Sequence, residues 1–297
     1  MKGRKLLFPD ERTYEAYRAG GGSLSKGDWR RDNVNRMVRG LHEMIRQEKP
    51  WVKFGVSPFG IWRPGVPEGT MAYVDAYDHL YADSRKWMQE GWLDYCAPQL
   101  YWSRDSKEQP YEPLLNWWVE QNTRQRHLWP GIAVDRVGAR RRPDEMVAQI
   151  MLSRIRQQTA GNIHWNMKPL LRDQLGVGTL IRRKLYEEPA LVPESPWMRP
   201  AGLGEIQFKV LPVTSEPGAA RVLRWELGEG VTPLQGWVLR QKRGEAWLTT
   251  LLPRESRSFE LGAEHASELS LAAVDRYGRL GPEQAVMIQK PSAELSR

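Results

Sequence analysis

Apolar residues recur every three or four positions after residue 28: Val34, Met37, Val38, Leu41, Met44 and Ile45. That spacing gathers them on one side of a helix. Asp28 suits its N-cap and Pro50 its end. The period then drops to two. Val52, Phe54 and Val56 alternate as in a strand, and Gly55 leaves room for a close neighbouring backbone. Pro58 has no amide hydrogen to give, so the strand ends there. The same change of period repeats three times. Asp83 caps a helix that carries Trp87 and Met88 and stops at Gly91; residues 93–102 then read as a buried strand. A helix with Trp117 and Trp118 leads to a third strand over 127–134. Pro143, followed by Asp144 and Glu145, opens a helix whose inner face is Met146, Val147, Ile150 and Ile155. Proline needs no donor at a helix start, and acids there oppose the helix dipole. Residues 161–165 make a short fourth strand, and a last helix covers about 169–185. A short helix around Thr13 and Tyr17, closed by Gly20, Gly21 and Gly22, precedes the series. A long loop over 62–80 contains Asp75 and Asp78, expected to be solvated.

Four strand–helix alternations predict a parallel sheet with covering helices. A complete (β/α)8 barrel needs eight, in ~250 residues. The expectation for residues 1–188 is therefore an α/β fold, a partial (β/α)8 TIM-type barrel with its N-terminal strands missing. Either the chain is a fragment, or a partner supplies the missing N-terminal half-barrel. Such a half would leave two strand edges and an apolar sheet face open. Residues 189–204, with Pro189, Pro193, Pro196 and Pro200, read as a linker. Beyond them the strands are short. Residues 221–225 alternate, and two runs flanking Lys242, Arg243 and Gly244 have hairpin spacing. Residues 269–274 form another strand, with a turn over 275–278. Residues 205–292 are thus an all-β sandwich of immunoglobulin-like size. The turn and Trp225 resemble a fibronectin type III domain, which implies an accessory or spacer role.

Composition narrows the partners. The net charge of +8 lies almost wholly before residue 197, where bases and acids are interspersed. Arg140, Arg141 and Arg142 form one short basic loop, without a nucleic-acid recognition motif, so no nucleic-acid partner is expected. No stretch approaches 18 apolar residues, which argues against a membrane span. The N-terminus has bases but no apolar core, so as it stands it does not read as a signal peptide. Cys96 is the sole cysteine, which excludes an intrachain disulfide and a cysteine-based zinc site. The carboxylates are too scattered for a metal cluster, and no cofactor motif is present. Fourteen tryptophans are the outlying number. Each is a flat apolar plane with one donor, suited to a core or to sugar rings.

In a parallel α/β sheet, ligands collect at the carboxyl ends of the strands. Those ends carry Ser57 and Phe59, then Trp62 and Arg63 just beyond; Gln99, Tyr101 and Trp102; Asp135 and Arg136; and His164 with its neighbours up to Asn166. Aromatic planes beside a guanidinium suit sugar rings or anionic groups. The plain alternative is an aromatic corner that caps a core.

Five stretches carry a family resemblance: residues 28–35 (Asp-Trp-Arg-Arg-Asp-Asn-Val-Asn), 54–63 (Phe-Gly-Val-Ser-Pro-Phe-Gly-Ile-Trp-Arg), 81–87 (Tyr-Ala-Asp-Ser-Arg-Lys-Trp), 94–102 (Asp-Tyr-Cys-Ala-Pro-Gln-Leu-Tyr-Trp) and 131–134 (Gly-Ile-Ala-Val). In that order, from about residue 8 to 185, they resemble the glycosyl hydrolase-like 10 family. The resemblance implies a (β/α)8 barrel acting on polysaccharide, with bacterial cell-wall glycan stripped of peptide as a substrate of some members, and a location at the bacterial cell envelope or outside the cell. It also implies about half a barrel upstream, with a strand ending in paired aspartates. Glycoside hydrolysis generally uses two carboxyl groups. Here Asp135 and Asp83 are the candidates, against an ion pair with Arg136 or Arg142 for the first and a helix cap for the second. Asp94 starts its strand and belongs to the opposite, stability face. Tyr101, Trp102, Trp62 and Phe59 are expected to stack on sugars. Ser57, Gln99, Arg63, Arg136 and His164 are expected to bind hydroxyl or carboxylate groups, with a buried structural role as the alternative for His164. The competing reading of the whole chain is a non-catalytic glycan-binding or structural protein.

Overall fold

The computed structural model describes residues 8–159, 161–213, 221–230, 232–262, 266 and 268–286. The leader reading at residues 1–7, and the parts of the sandwich reading at 214–220 and 287–292, lie outside these. The chain divides into two compact units, Met1–Leu180 and Ile181–Arg297.

The first unit opens with α1 (Glu11–Ala19) and α2 (Lys26–Glu48). Asp28 is not the cap of α2. Ser25 is: its Oγ accepts the Asp28 N–H at 3.1 Å and donates to the Asp28 carboxylate at 2.6 Å. This is a variant of the capping box, one hydroxyl and one carboxylate sharing bonds across the first turn. Four short parallel strands follow. They are β1 (Gly55–Val56), then β2 (Tyr95–Cys96), reached through α3 (Ala76–His79) and α4 (Ser84–Gln89). After α5 (Tyr111–Gln121) the third strand comes in two pieces, β3 (His127–Leu128) and β4 (Gly131–Ala133). The expected single strand is broken where Pro130 has no N–H to contribute. After α6 (Pro143–Arg154) comes β5 (Ile163–Trp165), parallel to β4. Gly55 pairs with Tyr95 and Tyr95 with His127. The bridges Phe59–Gln99 and Gln99–Gly131 carry the same order to the strand tips.

Alternation assigns the two faces of this sheet. Cys96, Leu128 and Ile132 are fully buried on one face, under α2, α4, α5 and α6, which contact one another in chain order. Trp118 is also fully buried and donates to the Gly60 carbonyl at 2.9 Å. Asp94 lies at the amino end of β2 on this face, where Arg46 of α2 and the Phe54 N–H donate to its carboxylate. The other face carries Gly55, Tyr95, His127 and Trp129. The neighbour that Gly55 admits is not backbone but the Tyr95 ring, which occupies the space a Cβ would need. Tyr95 stacks on Trp129 at 4.9 Å, and Trp129 on His127 at 5.0 Å.

Two further expectations change. Ile155 does not belong to the inner face of α6; it is the C-cap residue and 70% exposed. The last helix is two, α7 (Met167–Leu171) and α8 (Val177–Leu185), because Asp173, Leu175 and Gly176 all take positive φ between them. The Asp173 carboxylate accepts from the Thr179 N–H at 2.8 Å and its hydroxyl at 2.7 Å.

The second unit packs two antiparallel sheets. One contains β6 (Phe208–Val210), β7 (Arg221–Leu227) and β10 (Ser258–Leu261), in the order β10-β7-β6. The other contains β8 (Leu234–Arg243), β9 (Ala246–Pro253), β11 (Glu268–Asp275) and β12 (Gln284–Ala285), in the order β12-β11-β8-β9. The core between them is built on Trp225, Trp237, Leu223, Leu239 and Leu271, so these sheets fit a β-sandwich. The expected hairpin is β8–β9, with Gly244 at φ +57° in its turn. Part of the proline-rich stretch belongs to this unit's packing. Ser195 is buried and donates from its N–H to the Tyr277 carbonyl at 2.8 Å, and Arg199 pairs with Asp275 at 3.1 Å.

Candidate active site at the strand tips

The strand ends bring one set of the expected residues together. Gln99 donates to Ser57, to its carbonyl at 3.1 Å and its Oγ at 3.3 Å, which ties the first two strand tips. Phe59 meets Trp102 edge to face at 5.7 Å. Tyr101 lies over Gly131, where a Cβ would come within 3.0 Å of the ring. It also stacks on Trp165, 6.2 Å between centroids and 29° between planes. Trp165 is 54% exposed. Asp135 stands exposed on the 3-10 turn Val134–Arg136, directly after β4. Burial raises the Tyr101 phenol above its ordinary pKa, and the negative charge of Asp135 adds to this. The same turn sends Arg136 back to the Tyr101 carbonyl at 2.8 Å, where Arg141 also donates at 2.7 Å. Loss of hydration and the nearby Arg136 charge lower the Arg141 pKa.

A second set is held together for another purpose. The Trp62 indole N–H donates to Asp83 at 3.1 Å, and Asp83 accepts the Lys86 N–H at 3.3 Å as the N-cap of α4. Trp62 also stacks on Trp117 at 6.0 Å. Arg63 lies 4.5 Å from the Tyr77 ring and pairs with Asp78 at 3.3 Å. Arg31, 3.6 Å from the same ring, pairs with Asp78 at 3.4 Å. The 64–80 loop is therefore clamped by guanidinium–aromatic contacts. Asp75 caps α3 by accepting the Asp78 N–H, so neither loop aspartate is merely solvated. A cavity of about 880 Å³ opens beside this clamp, lined by Trp29, Arg30, Asn33, Asp78, His79 and Tyr81.

His164 does not join either set. It pairs in register with Ile132, which is fully buried, so it shares the helix-covered face, and burial lowers its pKa. The residue that reaches the tips from β5 is Trp165. Alternation along the strand distinguishes the two once the register with β4 is known; sequence alone leaves that register open. Arg141 is likewise visible in the sequence only as part of a basic loop. Among the described residues no group of three or more His, Cys, Asp or Glu is placed to hold a metal ion. No helix among them is long and apolar enough to cross a membrane.

Comparison with known proteins adds to this geometry. Residues 5–148 match the family model described as Glycosyl hydrolase-like 10. Glycosyl hydrolase YngK of Bacillus subtilis is 43% identical over 202 residues, 64% of this chain and 39% of that protein. Glycosyl hydrolase DigH of Escherichia coli K12 is 41% identical over 145 residues, 46% of this chain and 32% of that protein. The chain thus matches 39% and 32% of the length of these two relatives. A solved structure, the Cellulomonas fimi endo-beta-1,4-mannanase double mutant, covers 79% of this chain at 11% identity and a TM-score of 0.22, too loose a superposition to carry an argument.

Proposed function

We propose that this chain is the C-terminal part of a glycoside hydrolase, and that it holds the sugar-binding side of the site. The observation that carries the reading is the Tyr101–Trp165 platform beside the exposed carboxylate of Asp135, at the carboxyl ends of parallel strands. A sugar ring presents its C–H face to such a platform while its hydroxyls reach for groups at the rim. Ser57, Gln99 and Arg136 stand at that rim. Asp135 follows a strand directly and faces solvent, the position from which a carboxyl group can exchange a proton with a glycosidic oxygen or a water. Asp83 is committed to its cap and to Trp62, so the second carboxyl group is expected from the other half of the barrel.

The first unit is, on this reading, half of a (β/α)8 barrel. Its four parallel strands run in chain order, and apolar side chains stand open on α2, at Met37 (58% exposed) and Met44 (57%). The second unit fits a fibronectin type III-like accessory module, with three strands against four and Trp225 in the core. The relatives' names support glycan as the substrate class. Peptide-free bacterial cell-wall glycan, met at the cell envelope or outside the cell, is the substrate we would try first.

The experiment uses this chain and a version extended upstream, both incubated with peptide-free cell-wall glycan and assayed for new reducing ends. Release by the extended form alone, lost on Asp135→Asn and on Trp165→Ala, is the expected result. Glycan binding without release by either form would leave the non-catalytic binding protein as the reading. Release that persists undiminished in Asp135→Asn would remove Asp135 from the chemistry.

A further inference from the structure

The four-stranded sheet of the second unit ends in a strand with the chemistry of a pairing surface. β9 is the sheet edge beside β8. Its eight residues, Ala246–Pro253, include no charged side chain. Trp247 is 44% exposed, Leu248 36% and Leu251 39%. Edge strands are usually blunted by charges, bulges or an internal proline. Here the proline is the last residue. Among the described residues, the Glu188 carboxylate stands against the edge and accepts the Thr249 N–H over a long 3.4 Å.

That bond also tells which backbone groups point outward. If the Thr249 N–H points away from β8, then so do those of Trp247 and Leu251, by the two-residue alternation of a strand. In an antiparallel pair, outward-pointing residues must face outward-pointing residues. A two-fold axis at Thr249 therefore sets Thr249 against its own copy and Trp247 against Leu251 of the second copy, twice. Both Trp–Leu contacts fall on the same side of the sheet, and aromatic–aliphatic cross-strand pairs of this kind stabilise sheets. Glu245, at the hairpin end, then comes beside Arg254 of the second copy. Slipped one way, with Thr249 against Leu251, the pairing sets Glu245 against Glu255; slipped the other way, with Thr249 against Trp247, it sets Glu245 against the apolar Leu251. Charge therefore selects the register centred on Thr249.

We propose that β9 is a self-association edge: two copies of this chain pair β9 to β9 in antiparallel fashion, giving one continuous eight-stranded sheet, with Glu188 displaced from Thr249. Closed two-fold pairing uses the same strand on both copies and leaves no further edge of this kind to propagate.

The whole chain is examined by sedimentation and light scattering from low to high micromolar concentration. The mass is expected to rise from 34.4 kDa toward twice that value. Leu251→Lys, which places an ammonium opposite Trp247 of the second copy, is expected to weaken the dimer by ~10-fold or more. Leu251 is exposed, so this variant retains its fold. The register is read by Thr249→Cys. Two such residues face each other at a Cα separation of ~5.5 Å, within disulfide reach. The native cysteine, Cys96, is buried and cannot compete. Oxidation is expected to give covalent dimers from Thr249→Cys and none from Glu226→Cys on the other sheet. A single-chain mass throughout, or a dimer that the Thr249→Cys variant forms without covalent linkage, overturns the proposal; the second result would place association on another surface or with another type of partner strand.

Discussion

Asp83 and Asp135 look alike in sequence, each an aspartate after a strand or before a helix, and their surroundings separate them. Asp83 accepts from a backbone N–H and an indole, whereas Asp135 stands in solvent beside Tyr101. Asp83→Ala is expected to lower stability by about 1 kcal/mol, the usual worth of an N-cap, read as a shift in the urea midpoint. Asp135→Asn is expected to leave that midpoint unchanged while removing activity from the upstream-extended protein. Asp94 is a fully buried carboxylate, with Arg46 and the Phe54 N–H donating to it. Taking one partner out of a buried pair leaves the other charge without compensation. Arg46→Ala, which leaves the buried Asp94 charge without its ion-pair partner, should cost roughly 3–5 kcal/mol by that argument, and a stability within about 1 kcal/mol of wild type, on the order of a surface change, would refute it. Burial, together with the nearby Lys53 charge, holds the His127 imidazole down at a pKa of about 4. Its unfolded value is ~6.5. The unfolded chain thus binds the proton first, so the contribution is complete above pH ~6.5 and is lost as pH falls through about 4, roughly 3 kcal/mol in all. His42 and His164 are lowered by burial too and act in the same direction. Urea midpoints at several pH values in that window should fall with acid in the native chain and fall less in His127→Gln.

At the scale of the element, what was legible in the sequence is what local chemistry decides. The period of Val34, Val38 and Ile45, the stop at Gly91, the proline at the start of α6 and the β8–β9 hairpin each depend on residues a few positions apart. The errors fall where two elements compete for one role. Asp28 has the right chemistry for a cap, but Ser25 three residues earlier forms the cap and Asp28 answers it from the third helical position. Ser25→Ala should therefore cost about 1 kcal/mol, and Asp28→Asn less, because an amide still offers an oxygen to the serine hydroxyl. Helicity lost on heating, followed by circular dichroism, would report the difference. Pro130 and the Asp173–Gly176 kink interrupt elements that period alone draws as continuous. Faces were the least legible. His164 and Trp165 are neighbours in the chain, and only pairing with β4 shows that the first turns toward the helices and the second toward the strand tips.

For the whole molecule, the sequence changes from strand–helix alternation to short strands beyond the proline-rich stretch, while the chain divides into two compact units within α8, between Leu180 and Ile181. Whether the parallel strands of the first unit belong to a closed barrel could not be read from local pattern, since closure is a property of strands far apart in the chain. Its exposed methionines, with Leu41 on α2 and Ile163 on β5, should bind a hydrophobic dye strongly in this chain and weakly in the upstream-extended protein. Equal dye fluorescence in the two would count against the proposed half-barrel as the cover of these side chains. Cys96 gives the molecule a clock of its own. Its sulfur lies in β2, on the face sealed by the helices, and burial raises its pKa, so neither thiolate nor access is present in the native state. A thiol reagent can then react only during openings of the sheet. The labelling rate counts those openings one molecule at a time, and the chain carries a reporter of its own breathing without any engineered probe.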